Sequence, residues 1–272
     1  MPELAVEPRN RQLEAEQMAT MGLLQHLEEL RQRILYSVVA VAVCFGVSWY
    51  KWEAIYALMR KPIEQALAAH KMPTELSFLN PTDPFNLSLK LALITGIFIA
   101  CPFLLYQVWM FISPGLYRKE KRFVLPFLFL SVGLFLSGGL FGYRVVFPVA
   151  LDFLIGTGAN AGMRPMITIT EYTDLFLTIL LGLALIFELP IVLGFAGAMG
   201  VVNAKFLFKH IRGAVLVFFV IAAILTPTTD IMNMTIYAAP MILLYIMSIG
   251  IVWMVHPKQR RKRREKREQQ GR

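Results

Sequence analysis

The sequence predicts an all-α integral membrane protein with six transmembrane helices. Of its 272 residues, 57% are hydrophobic and only 17% are charged, a balance that excludes an ordinary soluble domain. Lys and Arg are concentrated in alternate segments between long uncharged stretches, as in proteins with several spans. Most of these stretches can cross a hydrocarbon layer about 30 Å thick. They cover residues 34–50, 91–117, 123–143, 175–187, 189–204, 213–229 and 231–257.

The uncharged stretches predict the order of the helices and the division of the chain. We expect a polar segment at 1–33, a six-helix transmembrane domain at 34–254 and a basic tail at 255–272. The first helix is expected to be retained, because a long polar segment precedes it and no small-residue cleavage site follows it. The six helices are expected at about 34–50, 86–112, 123–147, 173–198, 213–226 and 233–254.

The distribution of cations predicts the orientation in the membrane. The segments on the side of the N terminus contain 20 Lys and Arg residues, whereas those on the other side contain six. Cytoplasmic loops carry the excess of cations, so both termini are expected in the cytoplasm and 51–84, 148–172 and 227–232 outside. A basic run directly after a span is typical of a contact with anionic lipid rather than with nucleic acid.

The first outer loop is predicted to fold as a cap over the outer face. Its apolar residues recur at helical spacing and would form one face of an amphipathic helix. These residues are Ile55, Leu58, Met59, Ile63 and Leu67.

The fifth helix is unusually short. About 14 residues separate Arg212 from the break at Thr226 and Pro227, which gives roughly 20 Å of helix. Two interpretations remain open: local thinning of the bilayer at this helix, or burial of 225–230 against the sixth helix.

Motifs of enzyme chemistry are absent from the sequence. There is no HExxH, GxSxG or P-loop pattern, and all four histidines lie outside the expected helices. The two cysteines, Cys44 and Cys101, lie in uncharged stretches and lack the spacing of metal ligands. We therefore expect no enzyme activity, no metal and no cofactor.

Glu188 is the polar residue that most needs an explanation. It lies near the middle of the fourth span, where an ionised carboxylate costs about 2.5–3.5 kcal/mol unless it takes up a proton. Pro190 cannot donate a backbone hydrogen bond to Ile186, so polar backbone groups become available at the same turn. A functional intramembrane acid is favoured over a carboxyl group satisfied within the bundle.

Two cytoplasmic segments place acids beside cations. The segment 26–33, HLEELRQR, leads into the first helix, and in the loop 113–122 Glu120 is the sole acid among four cations. By themselves these segments indicate only a solvated helix face and a positively charged inner loop.

Together these segments resemble the TatC family, the polytopic subunit of the twin-arginine protein translocase, from about residue 21 to residue 255. Several motifs in the right order make the resemblance specific. They are HLEELRQR at 26–33, RKPI at 60–63, PFLLYQVWMFISPGLYRKEKR at 102–122, FGYRVVFPVALDFL at 141–154, FELP at 187–190 and LTPTTD at 225–230.

The resemblance implies a bundle shaped like a cupped hand in the bacterial cytoplasmic membrane. It also implies a receptor for folded proteins that carry twin-arginine signal peptides, driven by the proton-motive force without nucleotide. Small single-span TatA- and TatB-type proteins would be its partners, and the chain would form a homo-oligomer within the complex. The rival interpretation is a small proton-coupled transporter that uses Glu188, although one buried acid and no visible repeat argue against it.

The resemblance also implies roles for particular residues. Glu29 and Glu120 match the acids that bind the paired arginines of the signal. The segment 225–230 differs from the shorter Pro-Asp form that is common in the family, which leaves the role of Asp230 open. Arg31 and Phe111 match further positions of the signal-peptide site, and Glu188 matches an intramembrane polar site. Structural or partner-contact positions are matched by Pro62, Pro190 and Asp230.

Overall fold

Helices account for nearly all of the chain in the computed structural model, which describes residues 7–112, 124–163, 165–226 and 231–255. Within these ranges the β-structure is an isolated bridge between Ser77 and Thr168. The helices are α1 (Glu7–Tyr50), α2 (Trp52–Ala69), α3 (Asp83–Ile112), α4 (Val124–Phe141), α5 (Phe147–Asn160), α6 (Ile169–Ile186), α7 (Leu189–Ala198), α8 (Ala204–Lys209), α9 (Ile211–Leu225) and α10 (Ile231–Val255), and a π-helical turn (Gly142–Val146) joins α4 to α5.

The predicted all-α membrane fold is confirmed. Five helical segments of the described ranges are long and apolar enough to cross a membrane, and α9 is a shorter apolar helix. The five segments are Gln25–Tyr50, Asp83–Ile112, Leu125–Asn160, Ile169–Ala198 and Met234–Met254.

The third span extends further than the sequence predicts. It runs through the π-helical turn to Asn160 instead of ending near residue 147. The turn ends two residues before Pro148, which has no N–H for the carbonyl of Arg144, and a π-turn is a common way to accommodate such a gap. The expected outer segment 148–172 therefore begins as helix.

Close contact between α1 and α3 fixes the first span in the bundle. A Cβ atom at Gly96 of α3 would lie only 2.9 Å from the backbone N of Phe45 of α1. The absence of a side chain at Gly96 therefore allows the two backbones to approach. The buried side chain of Ser48 lies near the end of α1.

The predicted amphipathic helix is α2, at the end of the bundle where α1 ends, which we call the cap end. Met59, Ile63 and Leu67 are buried in the main core as the pattern predicts, and α2 packs mainly on α5 and α3. The prediction is wrong for Leu58, whose side chain is 51% exposed, because the helix contacts neighbours along a narrower face. His70 at the end of α2 contacts Asp152 of α5, with 2.9 Å between Nε2 and Oδ1.

The fifth span is short, as the sequence predicts. α9 has 15 residues and is therefore about 22 Å long, half the length of the 30-residue helix α3. Beside its last turn lies a cavity of about 650 Å³ between α9, α5 and α6. The segment 227–230, which includes Asp230, lies outside the described residues.

Candidate functional site

The first candidate site lies at the end of the bundle opposite the cap end, between α1 and α3. Glu29 and Arg33 are one helical turn apart on α1, so their side chains meet on the same face. Arg33 donates from Nε and Nη2 to Oε1 of Glu29, at 3.0 Å and 2.5 Å. Arg33 also donates from Nη1 to Oε1 of Gln107 on α3, at 3.2 Å. The ion pair on α1 is thus anchored to the neighbouring span.

A second contact joins the same two helices. His26 of α1 stacks on Phe111 of α3, with 4.4 Å between the ring centroids and 10° between the planes. The Nδ1 atom of His26 is 3.7 Å from Oε2 of Glu29. Glu29 therefore lies between two links from α1 to α3, and its side chain is still 30% exposed. A carboxylate held in this way can accept hydrogen bonds from a cationic ligand.

The structure places two other predicted residues of this site differently. Phe111 is in contact with the site through His26, whereas Arg31 is on an exposed face of α1 and two residues away from the ion pair. Glu120 lies outside the described residues, so its approach to Glu29 stays a prediction. The sequence did not single out His26 as a contact of Glu29 or Gln107 as a contact of Arg33.

The second candidate site is inside the membrane domain, at the break between α6 and α7. The backbone N–H of Glu188 donates to the carbonyl of Leu185 at 3.1 Å, three residues back, and α7 begins at the next residue. Pro190 follows in the first turn of α7 and is buried, as expected of a proline that starts a helix.

The two carboxyl oxygens of Glu188 differ in their hydrogen bonding. Ser131 of α4, which is fully buried, donates from Oγ to Oε2 of Glu188. The other oxygen, Oε1, is buried and has no hydrogen-bond partner among the described residues. An unmade hydrogen bond in an apolar environment is costly, so a donor that reached Oε1 would stabilise this carboxyl group.

Pro62 has a local structural consequence in α2. As a proline inside a helix it cannot donate to the carbonyl of Leu58, four residues back. The hydroxyl group of Tyr143, in the π-helical turn, donates to that carbonyl at 2.9 Å. At the next residue, Tyr172 of α6 donates to the carbonyl of Met59 at 2.6 Å. Two tyrosines of the span helices thus hold α2 by its backbone.

The described residues contain no group of three His, Cys, Asp or Glu side chains that could hold a metal ion. The two acids of the candidate sites are Glu29, at a helix interface, and Glu188, inside the membrane domain.

Comparisons with known proteins agree with one another. The family model described as "Sec-independent protein translocase protein (TatC)" matches residues 25–240. A protein of that name from Koribacter versatilis is 56% identical over 271 residues, which cover 99% of both chains. Another from Desulforapulum autotrophicum is 39% identical over 225 residues, or 83% of this chain and 82% of the relative.

A solved structure also superposes on the chain. "Crystal Structure of Twin Arginine Translocase Receptor- TatC" has a TM-score of 0.75 and 34% identity, and the match covers 85% of this chain and 99% of the solved one. The family model covers most of the chain, and the relatives are similar over nearly their full lengths. This protein, a multi-pass bacterial membrane protein, therefore belongs to the TatC family.

Proposed function

We propose that this chain is the receptor and core subunit of a translocase that recognises twin-arginine signal peptides and exports folded proteins with the proton-motive force. The observation that carries the proposal is the Glu29 carboxylate, which is fixed between α1 and α3 and partly exposed in a motif of the family. Relatives named as translocase proteins support a transport role rather than an enzyme activity or cofactor chemistry. They give no support to the proton-coupled transporter.

Carboxylates at this position suit an arginine pair. A guanidinium group presents a planar fork of donors, and a carboxylate offers two oxygens at the matching spacing. Arg31, Arg33 and the cations of 118–122 would repel basic peptides that lack the right placement. Phe111 offers an apolar surface next to the same carboxylate, through its contact with His26. Glu120 would supply the second acid.

Glu188 is proposed as a contact for a polar group on the transmembrane helix of a partner. Its Oε1 atom lacks a hydrogen bond within the described residues, and it lies in a membrane-spanning segment. Polar contacts between membrane helices contribute only about 0.6–2 kcal/mol, so this contact would position the partner rather than hold the complex together.

The proposed assembly follows from the family. TatA- and TatB-type single-span proteins are the expected partners, and several copies of the chain are expected in the complex. Both termini are expected in the cytoplasm, with the basic tail 256–272 against anionic lipid and outside the described residues. Pro62, Pro190 and Asp230 are proposed as structural or partner-contact residues.

Binding of a synthetic signal peptide to the purified full-length protein tests the receptor role. We expect the twin-arginine peptide to bind and its twin-lysine version to bind much more weakly. Glu29→Gln and Glu120→Gln should each lower the affinity about tenfold or more, since charge-assisted hydrogen bonds contribute about 1.5–3 kcal/mol.

The matched control is Glu75→Gln, the same change at an exposed acid of the cap end. It should leave binding unchanged. Wild-type affinity of the double variant Glu29→Gln, Glu120→Gln would place the signal site elsewhere.

A further inference from the structure

We propose that Arg33 is an internal competitor for Glu29 and thereby limits the affinity of the receptor for an arginine pair. The inference rests on the proposed function, in which Glu29 binds that pair. It assigns to Arg33 a role of its own: the guanidinium group occupies the binding carboxylate until a ligand arrives.

The two oxygens of Glu29 are not equivalent. Both contacts from Arg33, through Nε and Nη2, end on Oε1. Among the described residues, the contact of Oε2 is with the ring of His26, at 3.7 Å, and that ring is half exposed. One oxygen is therefore engaged by a resident arginine, and the other is open to a ligand.

This asymmetry separates arginine from lysine ligands. An arginine that binds a carboxylate with two parallel hydrogen bonds needs both oxygens, so it must displace Arg33 from Oε1. A lysine ammonium group is a compact point charge and can bind Oε2 while Arg33 stays in place. Arg33 thus weakens the binding of an arginine ligand by competition and by charge repulsion, and that of a lysine ligand by charge repulsion alone.

Gln107 provides the position to which Arg33 retreats. Its buried side chain accepts a hydrogen bond from Nη1 of Arg33 at 3.2 Å, and this contact does not involve Glu29. The Arg33 side chain is only 19% exposed, so it is packed between the helices and cannot simply turn into water. When a ligand takes Oε1, the bond to Gln107 keeps the displaced guanidinium group partly satisfied.

The experiment measures the affinity of the purified full-length protein for a fluorescent twin-arginine peptide and its twin-lysine version. Arg33→Gln should tighten the binding of the twin-arginine peptide about two- to fivefold, the range measured for ion pairs near a protein surface. The twin-lysine peptide should tighten by a clearly smaller factor, because it gains only from the loss of the positive charge. Arg33→Lys keeps the charge but loses the fork, so it should tighten arginine binding by a smaller factor.

Gln107→Leu should change the affinity for the twin-arginine peptide in the opposite direction. It removes the retreat position, so it should weaken the binding of the twin-arginine peptide. In the double variant with Arg33→Gln this effect should vanish, because no guanidinium group is left to displace. Monodisperse elution in detergent checks that each variant is folded.

Three results would overturn the proposal. Equal tightening for both peptides would mean that Arg33 acts only through its charge. Weaker arginine binding in Arg33→Gln would mean that Arg33 orients Glu29 for the ligand. Unchanged affinity in Arg33→Gln, while Glu29→Gln abolishes binding, would refute the competition alone; if Glu29→Gln itself has no effect, the proposed signal site fails as well.

Discussion

Glu188 is a single polar residue whose neighbours determine which hydrogen bonds its carboxyl group makes. Ser131 satisfies Oε2, and Oε1 is left without a donor in the described part of the chain. A buried carboxyl group in this state gains from any donor that enters. It accepts a hydrogen bond whether or not it is ionised, so a contact with a partner does not require proton transfer.

Two substitutions of Glu188 separate hydrogen bonding from proton chemistry. Glu188→Gln retains an acceptor oxygen but cannot titrate, whereas Glu188→Leu removes both properties. If the role is a hydrogen bond, export of a folded reporter protein should be partial with Gln and nearly absent with Leu. An equal loss in both would indicate a proton-transfer role, and normal export by a stably inserted Leu variant would leave Glu188 a structural residue only.

Removal of the hydroxyl group of Ser131 is a related test at the same site. Ser131→Ala should reduce export less than Glu188→Leu does, because it frees Oε2 without removing the carboxyl group. Ser137→Ala is the matched change on the same helix, since Ser137 donates only to the carbonyl of Leu134 in its own helix. That variant should export normally.

The residue types that the sequence could identify are the charged ones. Glu29 and Glu188 stand out because a charge beside or within an apolar stretch is unusual. Gln107, Ser131 and Tyr143 do not stand out, because neutral polar residues are common in membrane helices. Their partners are also 74, 57 and 85 positions away in the chain, so only the packing of the helices reveals the contacts.

At the scale of the element, the position of α2 depends on the carbonyl of Leu58, which Pro62 leaves without a donor from its own helix. Pro62 makes the carbonyl of Leu58 available, and Tyr143 provides the donor. The hydrogen bond joins a helix that lies on the bundle to a turn within the third span. The proline in α2 and the π-helical turn that contains Tyr143 therefore both help to set the position of α2.

A double-mutant cycle tests this coupling. Tyr143→Phe should destabilise the protein by about 0.5–1.5 kcal/mol in thermal or denaturant unfolding in detergent, the usual net contribution of one hydrogen bond. In the background of Pro62→Ala the same change should cost much less, because residue 62 then has an N–H for the carbonyl of Leu58. Additive effects would show that the two residues act independently.

Helix positions were easier to predict than helix ends. The uncharged stretches located every span because lipid excludes charge, but a helix ends where its hydrogen bonding ends. α1 therefore begins at Glu7, well before residue 34, since 7–33 is rich in Glu, Leu, Gln and Arg, which favour helix. The π-helical turn that extends the third span has no signature in charge or hydropathy.

At the scale of the whole molecule, the unequal distribution of cations predicts one orientation. A phosphatase that is active only outside the cytoplasm should be inactive when it is fused after Arg272 and active when it is inserted after Glu75 in the cap segment. The expectation rests on 20 Lys and Arg on one side against six on the other. Phosphatase activity of the fusion at Arg272 would reverse the assignment. A cytoplasmic reporter at the same two positions should give the complementary result and so controls for expression.

The shortness of α9 has a consequence for the lipid around the protein. Of the two interpretations left open for this helix, local thinning predicts that a helix about 22 Å long draws the two leaflets together on that flank, where the hydrocarbon layer is about 30 Å thick, while the flank formed by α1 and α3 leaves them undisturbed. Bending the leaflets stores elastic energy in proportion to the rim of the depression. Two copies that share one depression have less rim than two copies apart, so the bilayer itself attracts them through their α9 flanks. We expect this attraction to fade in lipids with shorter acyl chains, which match α9 without bending.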